Sequence, residues 1–172
     1  MATTTKSTTV QVYRVYIKAT PEAIWAAITK PEWTERYGYG GRAEYDLRPG
    51  GAFRTYPSEA MIKGGAEMGY ETPDVIVDGE VVESDPPRKL VQTWRMLMDP
   101  TMAEEGFTRL TYDIEEGQGG VTKLTVTHEL DGAPTLAVMV DGGRESEGAG
   151  GGWSWILSDL KTLLETGRPF AG

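Results

Sequence analysis

The chain has no cysteine and one histidine, His128, among 172 residues. Without cysteine there is no disulfide framework, no thiolate nucleophile and no cysteine-based zinc site. A lone histidine also removes His-rich metal centres, so no metal is expected. Basic residues are scarce: 17 Lys and Arg against 26 Asp and Glu give a net charge of −9. A nucleic-acid binder needs a basic footprint to displace counterions, and no dense Lys/Arg cluster supplies one, so no nucleic-acid partner is expected. No apolar stretch approaches the roughly 18 residues that span a bilayer. Residues 1–9 are rich in Thr and Ser and lack the apolar run of a signal peptide. The simplest expectation is a cytoplasmic protein with no membrane span. It would have a frayed tail over residues 1–9, one domain over 10–167 and a C-terminal tail over 168–172. A chain of this length can bury a substantial core unaided.

Glycine, by contrast, is abundant. The 22 glycines of 172 residues are nearly twice the usual level of roughly 7%. Seven of them lie between Gly132 and Gly152.

Strand signals dominate the chain. Residues 10–18 alternate, with Tyr13, Val15 and Ile17 on one side and Val12, Arg14 and Tyr16 on the other, the period of a half-buried strand. Thr20 can cap a helix that opens on Pro21, and Ile24, Trp25 and Ile28 share its face. Pro31 restarts a second short helix carrying Trp33 and Tyr37, which the run from Gly38 to Gly41 breaks. Residues 42–47 and 52–56 read as strands around the turn Arg48-Pro49-Gly50-Gly51. Residues 57–73 read as a loop, and 75–83 as a strand in which Gly79 marks a bulge or a close backbone approach. Residues 90–98 form another strand, with Gln92, Trp94, Met96 and Met98 on one face. Residues 99–106 read as an acidic loop, and 107–115 with 121–130 as a hairpin. The segment 131–151 contains an apolar piece over 136–140 and is otherwise Gly/Glu-rich. Trp153, Ile156, Leu157, Leu160, Leu163 and Leu164 fall on one stripe of a helix of about four turns, which Gly167 stops. The fold class is α+β. The long helix is the only element large enough to cover the apolar face of the strands.

Three segments carry a family likeness: residues 19–32 (ATPEAIWAAITKPE), 45–53 (YDLRPGGAF) and 151–164 (GGWSWILSDLKTLL). Residues 87–94 and 124–128 match the same pattern. On these the chain resembles the SRPBCC or START-like superfamily, also called the helix-grip or Bet v 1-like fold. It is most similar to the heat-shock-ATPase-activator homologue group, often labelled polyketide cyclase-like. The resemblance spans residues 10–166. It implies a curved antiparallel sheet of six to seven strands wrapped around the long C-terminal helix, with two short helices after the first strand. It also implies a cavity between sheet and helix, with loops at its mouth, that takes fatty, aromatic or polyketide-like ligands. Many relatives carry a Trp-Trp or Trp-Phe pair after the second short helix. This chain has Arg36-Tyr37-Gly38-Tyr39 there, which changes the aromatic rim of the pocket.

Candidate site residues follow from both readings. His128 shares a strand face with Leu124 and Val126 and is the one side chain suited to proton transfer near neutral pH; an ordinary hydrogen-bonded strand histidine is the competing account. Trp94, Met96, Met98 and Tyr112 form an aromatic and thioether group suited to an irregular ligand or to a plain core. Trp33, Tyr37 and Tyr39 lie on and after the second short helix, and Trp153 opens the long one. Arg54 shares a strand face with Tyr56 and is a candidate clamp for an acidic ligand.

The leading expectation is binding of a small hydrophobic or aromatic molecule without catalytic machinery or cofactor. Three alternatives stay open. One is a cyclase/aromatase-type enzyme moving protons through His128 or a tyrosine. Another is a chaperone-ATPase-activator-like interaction module. The third is sequestration of a natural product. A homodimer through strand edges or exposed aromatics is also left open.

Overall fold

A computed structural model describes residues 9–171. The expected tail falls almost wholly outside them. Seven strands form one antiparallel sheet: β1 (Val10–Ile17), β2 (Arg42–Tyr45), β3 (Ala52–Tyr56), β4 (Val77–Asp85), β5 (Lys89–Met96), β6 (Thr108–Glu116) and β7 (Thr122–Glu129). Their order is β1-β7-β6-β5-β4-β3-β2. Strands β2 to β7 are a plain meander. Only β1 breaks it, pairing with β7 from Val10↔Glu129 to Ile17↔Thr122.

The chain crosses from β1 at one edge to β2 at the other through two short helices, α1 (Pro21–Thr29) and α2 (Pro31–Thr34). The Thr20 hydroxyl accepts the Ala23 N–H at 3.1 Å and Pro21 occupies the first turn, as the capping signal requires. Ile24, Trp25, Ala27 and Ile28 are the buried face of α1.

Gly79 is a close approach. A Cβ there would collide with the Thr93 carbonyl across the β4–β5 pair. The same pair carries a register shift between Val81 and Glu83, which bends the sheet.

Helix α6 (Gly152–Thr166) lies in the concave side of the sheet and buries Trp153, Leu157, Leu160 and Leu163. Each such side chain stabilises the fold by roughly 1.5–3 kcal/mol. Gly167 ends the helix in the left-handed conformation at φ 82°. Asp159, fully buried on α6, accepts the backbone N–H of Gly38 at 2.8 Å and of Phe170 at 2.7 Å. It thereby ties residues beyond the helix, and the loop after α2, to the same carboxylate.

Two expected loops are helices. Residues 59–67 form α3 (Glu59–Glu67), capped by the Ser58 hydroxyl on Met61 N–H at 3.1 Å. Residues 100–105 form α4 (Pro100–Glu105), capped by Asp99 on Thr101 N–H at 2.8 Å and Met102 N–H at 3.1 Å. The apolar piece within 131–151 is α5 (Pro134–Val140), and Glu145–Glu147 form a single 3-10 turn. Among the described residues no helix is long and apolar enough to cross a membrane.

The core is divided. A large cluster holds α1, α6 and the β5–β6–β7 floor; a smaller one consists of Ala43, Phe53, Ile76 and Val77. Tyr45, Trp94 and Met96 pack against both.

Candidate functional site

A cavity of about 640 Å³ opens between these two clusters. Its floor is concave sheet: Ala43 and Tyr45 from β2, Phe53 and Thr55 from β3, Trp94 and Met96 from β5, and Tyr112 from β6. Its roof is Trp153 and Ile156 of α6, and Met61, Met102 and Met139 reach in from α3, α4 and α5. Gly148, Ala149, Gly150 and Gly152 line it beside Tyr39, whose hydroxyl accepts the Gly152 N–H at 3.1 Å. Gly150 has φ +83°, and a Cβ there would strike the Tyr39 ring. The glycine-rich connection therefore packs against an aromatic rim as only glycine can.

The lining is aromatic and thioether. Tyr45 and Phe53 stack at 4.6 Å, and Tyr112 meets Trp153 edge-on at 6.2 Å, both preferred aromatic geometries. Charge is nearly absent. Of the lining side chains only Asp99 and Arg144 are charged. Asp99 caps α4, and Arg144 is paired with Glu147 at 2.9 Å. The uncharged polar side chains are the phenols of Tyr37, Tyr39, Tyr45 and Tyr112, the hydroxyls of Thr34 and Thr55, and the indoles of Trp94 and Trp153. Tyr37 donates to the Ala27 carbonyl at 2.9 Å and Tyr45 to Gln92 Oε1 at 2.8 Å. The Tyr112 hydroxyl has no hydrogen-bond partner among the described residues. Burial pushes the Tyr37, Tyr45 and Tyr112 phenols above the ordinary 10, so all three remain protonated donors near neutral pH.

His128 does not line this cavity. It is fully buried behind Trp94 and Trp153, with ring centroids 5.4 Å and 6.0 Å away. The Trp153 indole N–H donates to Nδ1 at 3.2 Å. An indole can only donate, so the neutral ring carries its proton on Nε2. That nitrogen donates to Thr108 Oγ1 at 2.8 Å, and the Thr108 hydroxyl donates to the Trp94 carbonyl at 2.8 Å. Burial lowers the imidazole from 6.5 to about 4. With both nitrogens engaged and the ring uncharged, His128 braces Trp153 against β6. Named among the candidate site residues, it lies outside the cavity lining, with Trp94 and Trp153 packed against it.

Of the other expected residues, the structure brings Tyr37, Tyr39, Trp94, Met96, Met98, Tyr112 and Trp153 to the cavity. It does not bring Trp33, Arg54 or Tyr56. Trp33 packs on the core from outside, with the Arg36 guanidinium 4.8 Å over its ring. On β3, Phe53 and Thr55 point inward, so Arg54 and Tyr56 point outward by the alternation of strands. They line a shallow depression on the outer face with Glu44 and Asp46, and Arg42 sits 5.0 Å over the Tyr56 ring.

Tyr45 lines the cavity although the sequence reading does not single it out, and Gln92, buried outside the lining, accepts its hydroxyl from behind. The signal was present: Gln92 interrupts an otherwise apolar strand face of Leu90, Trp94 and Met96.

Against known proteins, residues 18–165 match the family model of the Activator of Hsp90 ATPase homolog 1-like protein. No curated protein matches the chain significantly. Solved structures share the fold. CalU16 from Micromonospora echinospora has a TM-score of 0.63 at 21% identity, covering 94% of this chain and 77% of that one. PFC0360w, described as an HSP90 activator from Plasmodium falciparum, has 0.60 at 22%, covering 90% and 95%. SSP2350 from Staphylococcus saprophyticus has 0.62 at 16%, covering 94% and 96%. The chain belongs to the Activator of Hsp90 ATPase homolog 1-like family, and the expected helix-grip architecture holds.

Proposed function

We propose that this member of the Activator of Hsp90 ATPase homolog 1-like family binds a small, largely apolar molecule in the cavity between the sheet and α6. The observation that carries the reading is the cavity itself. Its volume of about 640 Å³ lies in the range typical of small-molecule sites, roughly 300–1,000 Å³. An ordinary core packs to a density that leaves few voids larger than a water molecule, so a space of this size calls for an occupant. Its thioether and aromatic walls suit an aromatic or acyl ligand.

The site offers hydrogen-bond donors but no paired acid and base. A proton-transfer enzyme would have to run on a tyrosine, and Tyr112 is the phenol free to take that role.

Native mass spectrometry of protein purified from its own host tests the reading. A co-purified mass in the small-molecule range is the expected result. A thermal-shift series with aromatic and acyl compounds is the companion measurement, because a ligand that prefers the folded state raises Tm by mass action. Protein free of ligand and stabilised by none of these compounds would count decisively against it.

A further inference from the structure

The two charged side chains of the cavity lining are not equivalent. Arg144 is already neutralised, its Nε donating to Glu147 at 2.9 Å. Asp99 is not. Its Oδ1 accepts the N–H groups of Thr101 at 2.8 Å and Met102 at 3.1 Å. These neutral donors cap α4, and the end of so short a helix offsets only part of a negative charge. Among the described residues no Lys, Arg or His forms an ion pair with Asp99. With no lysine or histidine in the lining, the cavity is left with one uncompensated carboxylate.

The surroundings add to that charge. Burial raises the phenols of Tyr37 and Tyr39, and the carboxylates of Asp159 and Glu145 raise them further, while no cation lowers any phenol of the lining. The walls are rings, with Tyr45 stacked on Phe53 and Tyr112 edge-on to Trp153, and the face of an aromatic ring attracts a cation. The whole chain carries a net charge of −9, which raises the local concentration of cations at its surface.

We propose that the ligand is an organic cation, an ammonium on an apolar body, with its positive head beside Asp99 and its body among the rings and thioethers. This rests on the ligand-binding reading above and assigns the ligand its charge and chemical class. An anionic ligand would set a second negative charge beside Asp99 and find no free cation in the lining, a costly burial. An ammonium supplies the missing counter-charge and uses the ring faces as well.

The test uses three naphthalenes that differ in the head group alone: (2-naphthylmethyl)trimethylammonium, its neutral carbon isostere 2-neopentylnaphthalene, and 2-naphthylacetate. Isothermal titration calorimetry gives the affinities. The ammonium compound is expected to bind at least about tenfold more tightly than the acetate, the worth of a close charge pair partly shielded by solvent. In Asp99→Asn the ammonium compound should lose about tenfold, and the neutral isostere should stay within about twofold. Asparagine caps a helix as well as aspartate does, so α4 is kept, and the neutral isostere reports that the cavity survives. Acetate binding as tightly as the ammonium compound, or more so, overturns the proposed class. A substitution that weakens the ammonium compound and the neutral isostere alike, or neither, confines Asp99 to its capping role and overturns the assignment. In both cases the ligand-binding reading stands. Binding of none of the three counts against that reading itself.

Discussion

At the scale of single residues, His128 is the place where burial sets chemistry. Its folded-state pKa of about 4 lies below the ordinary 6.5. Between those values the unfolded chain holds more protons than the folded one, so stability falls as pH drops. The contribution is complete above about pH 6.5, is lost as pH falls through about 4, and amounts to roughly 3 kcal/mol. Urea unfolding at a series of pH values checks this. Wild type should lose more stability between pH 7 and pH 4 than His128→Gln, whose side chain does not titrate. Equal losses would mean that the imidazole accepts a proton without disturbing Trp153 and Thr108. The strand face of His128 was legible from the alternation Leu124, Val126, His128. Its depth was not, because a period of two assigns a side of the sheet and says nothing about which layer another element will cover. The same limit misplaced Arg54 and Tyr56: their shared face was read correctly, but not that it points outward.

At the scale of elements, the long amphipathic helix and the meander were legible because many turns or residues repeat the pattern. The short helices were not. Helix α4 has six residues, less than two turns, too few for an apolar stripe to recur. Its Asp99-Pro100 start carries the same cap-and-proline signature that marked Thr20-Pro21. Helix α3 contains Gly64 and Gly65, each unfavourable in a helix by about 1 kcal/mol relative to alanine, and so it read as a loop. Glu105 shows how these pieces are joined. Its carboxylate accepts the N–H groups of Thr135 at 2.9 Å and Leu136 at 3.0 Å, capping α5, whose own N-cap residue Ala133 has no side-chain acceptor. Glu105→Ala should therefore cost about 1–2 kcal/mol, as a lost helix cap does. It should also weaken ligand binding, since α4 and α5 deliver Met102 and Met139 to the cavity. Denaturant unfolding and a thermal-shift series with aromatic and acyl compounds on the same variant measure the two effects. Unchanged stability would show that α5 needs no cap from outside its own segment.

At the scale of the whole molecule, the decisive property is that the core comes in two parts with space between them. The sequence announced enough apolar residues for one core; it could not announce that the sheet would hold α6 away from β2 and β3. Ala43 tests this directly. It is 7% exposed and lines the cavity on the side of the smaller cluster. In a closed core, Ala→Leu adds volume where there is none and costs typically 1–3 kcal/mol. At the wall of a cavity the added methyl groups gain contacts and remove apolar surface from water, which commonly stabilises by about 0.5–2 kcal/mol. The sign of the change thus distinguishes a cavity from a packed interior without any knowledge of the ligand. Ala43→Leu should be as stable as wild type or more so in urea, and should bind any aromatic or acyl compound that stabilises the wild type at least about tenfold more weakly, because a ligand must compete with the new side chain for the same space. A destabilised variant would mean that the two clusters close on each other in solution. A stabilised variant that binds as well as wild type would place the ligand elsewhere.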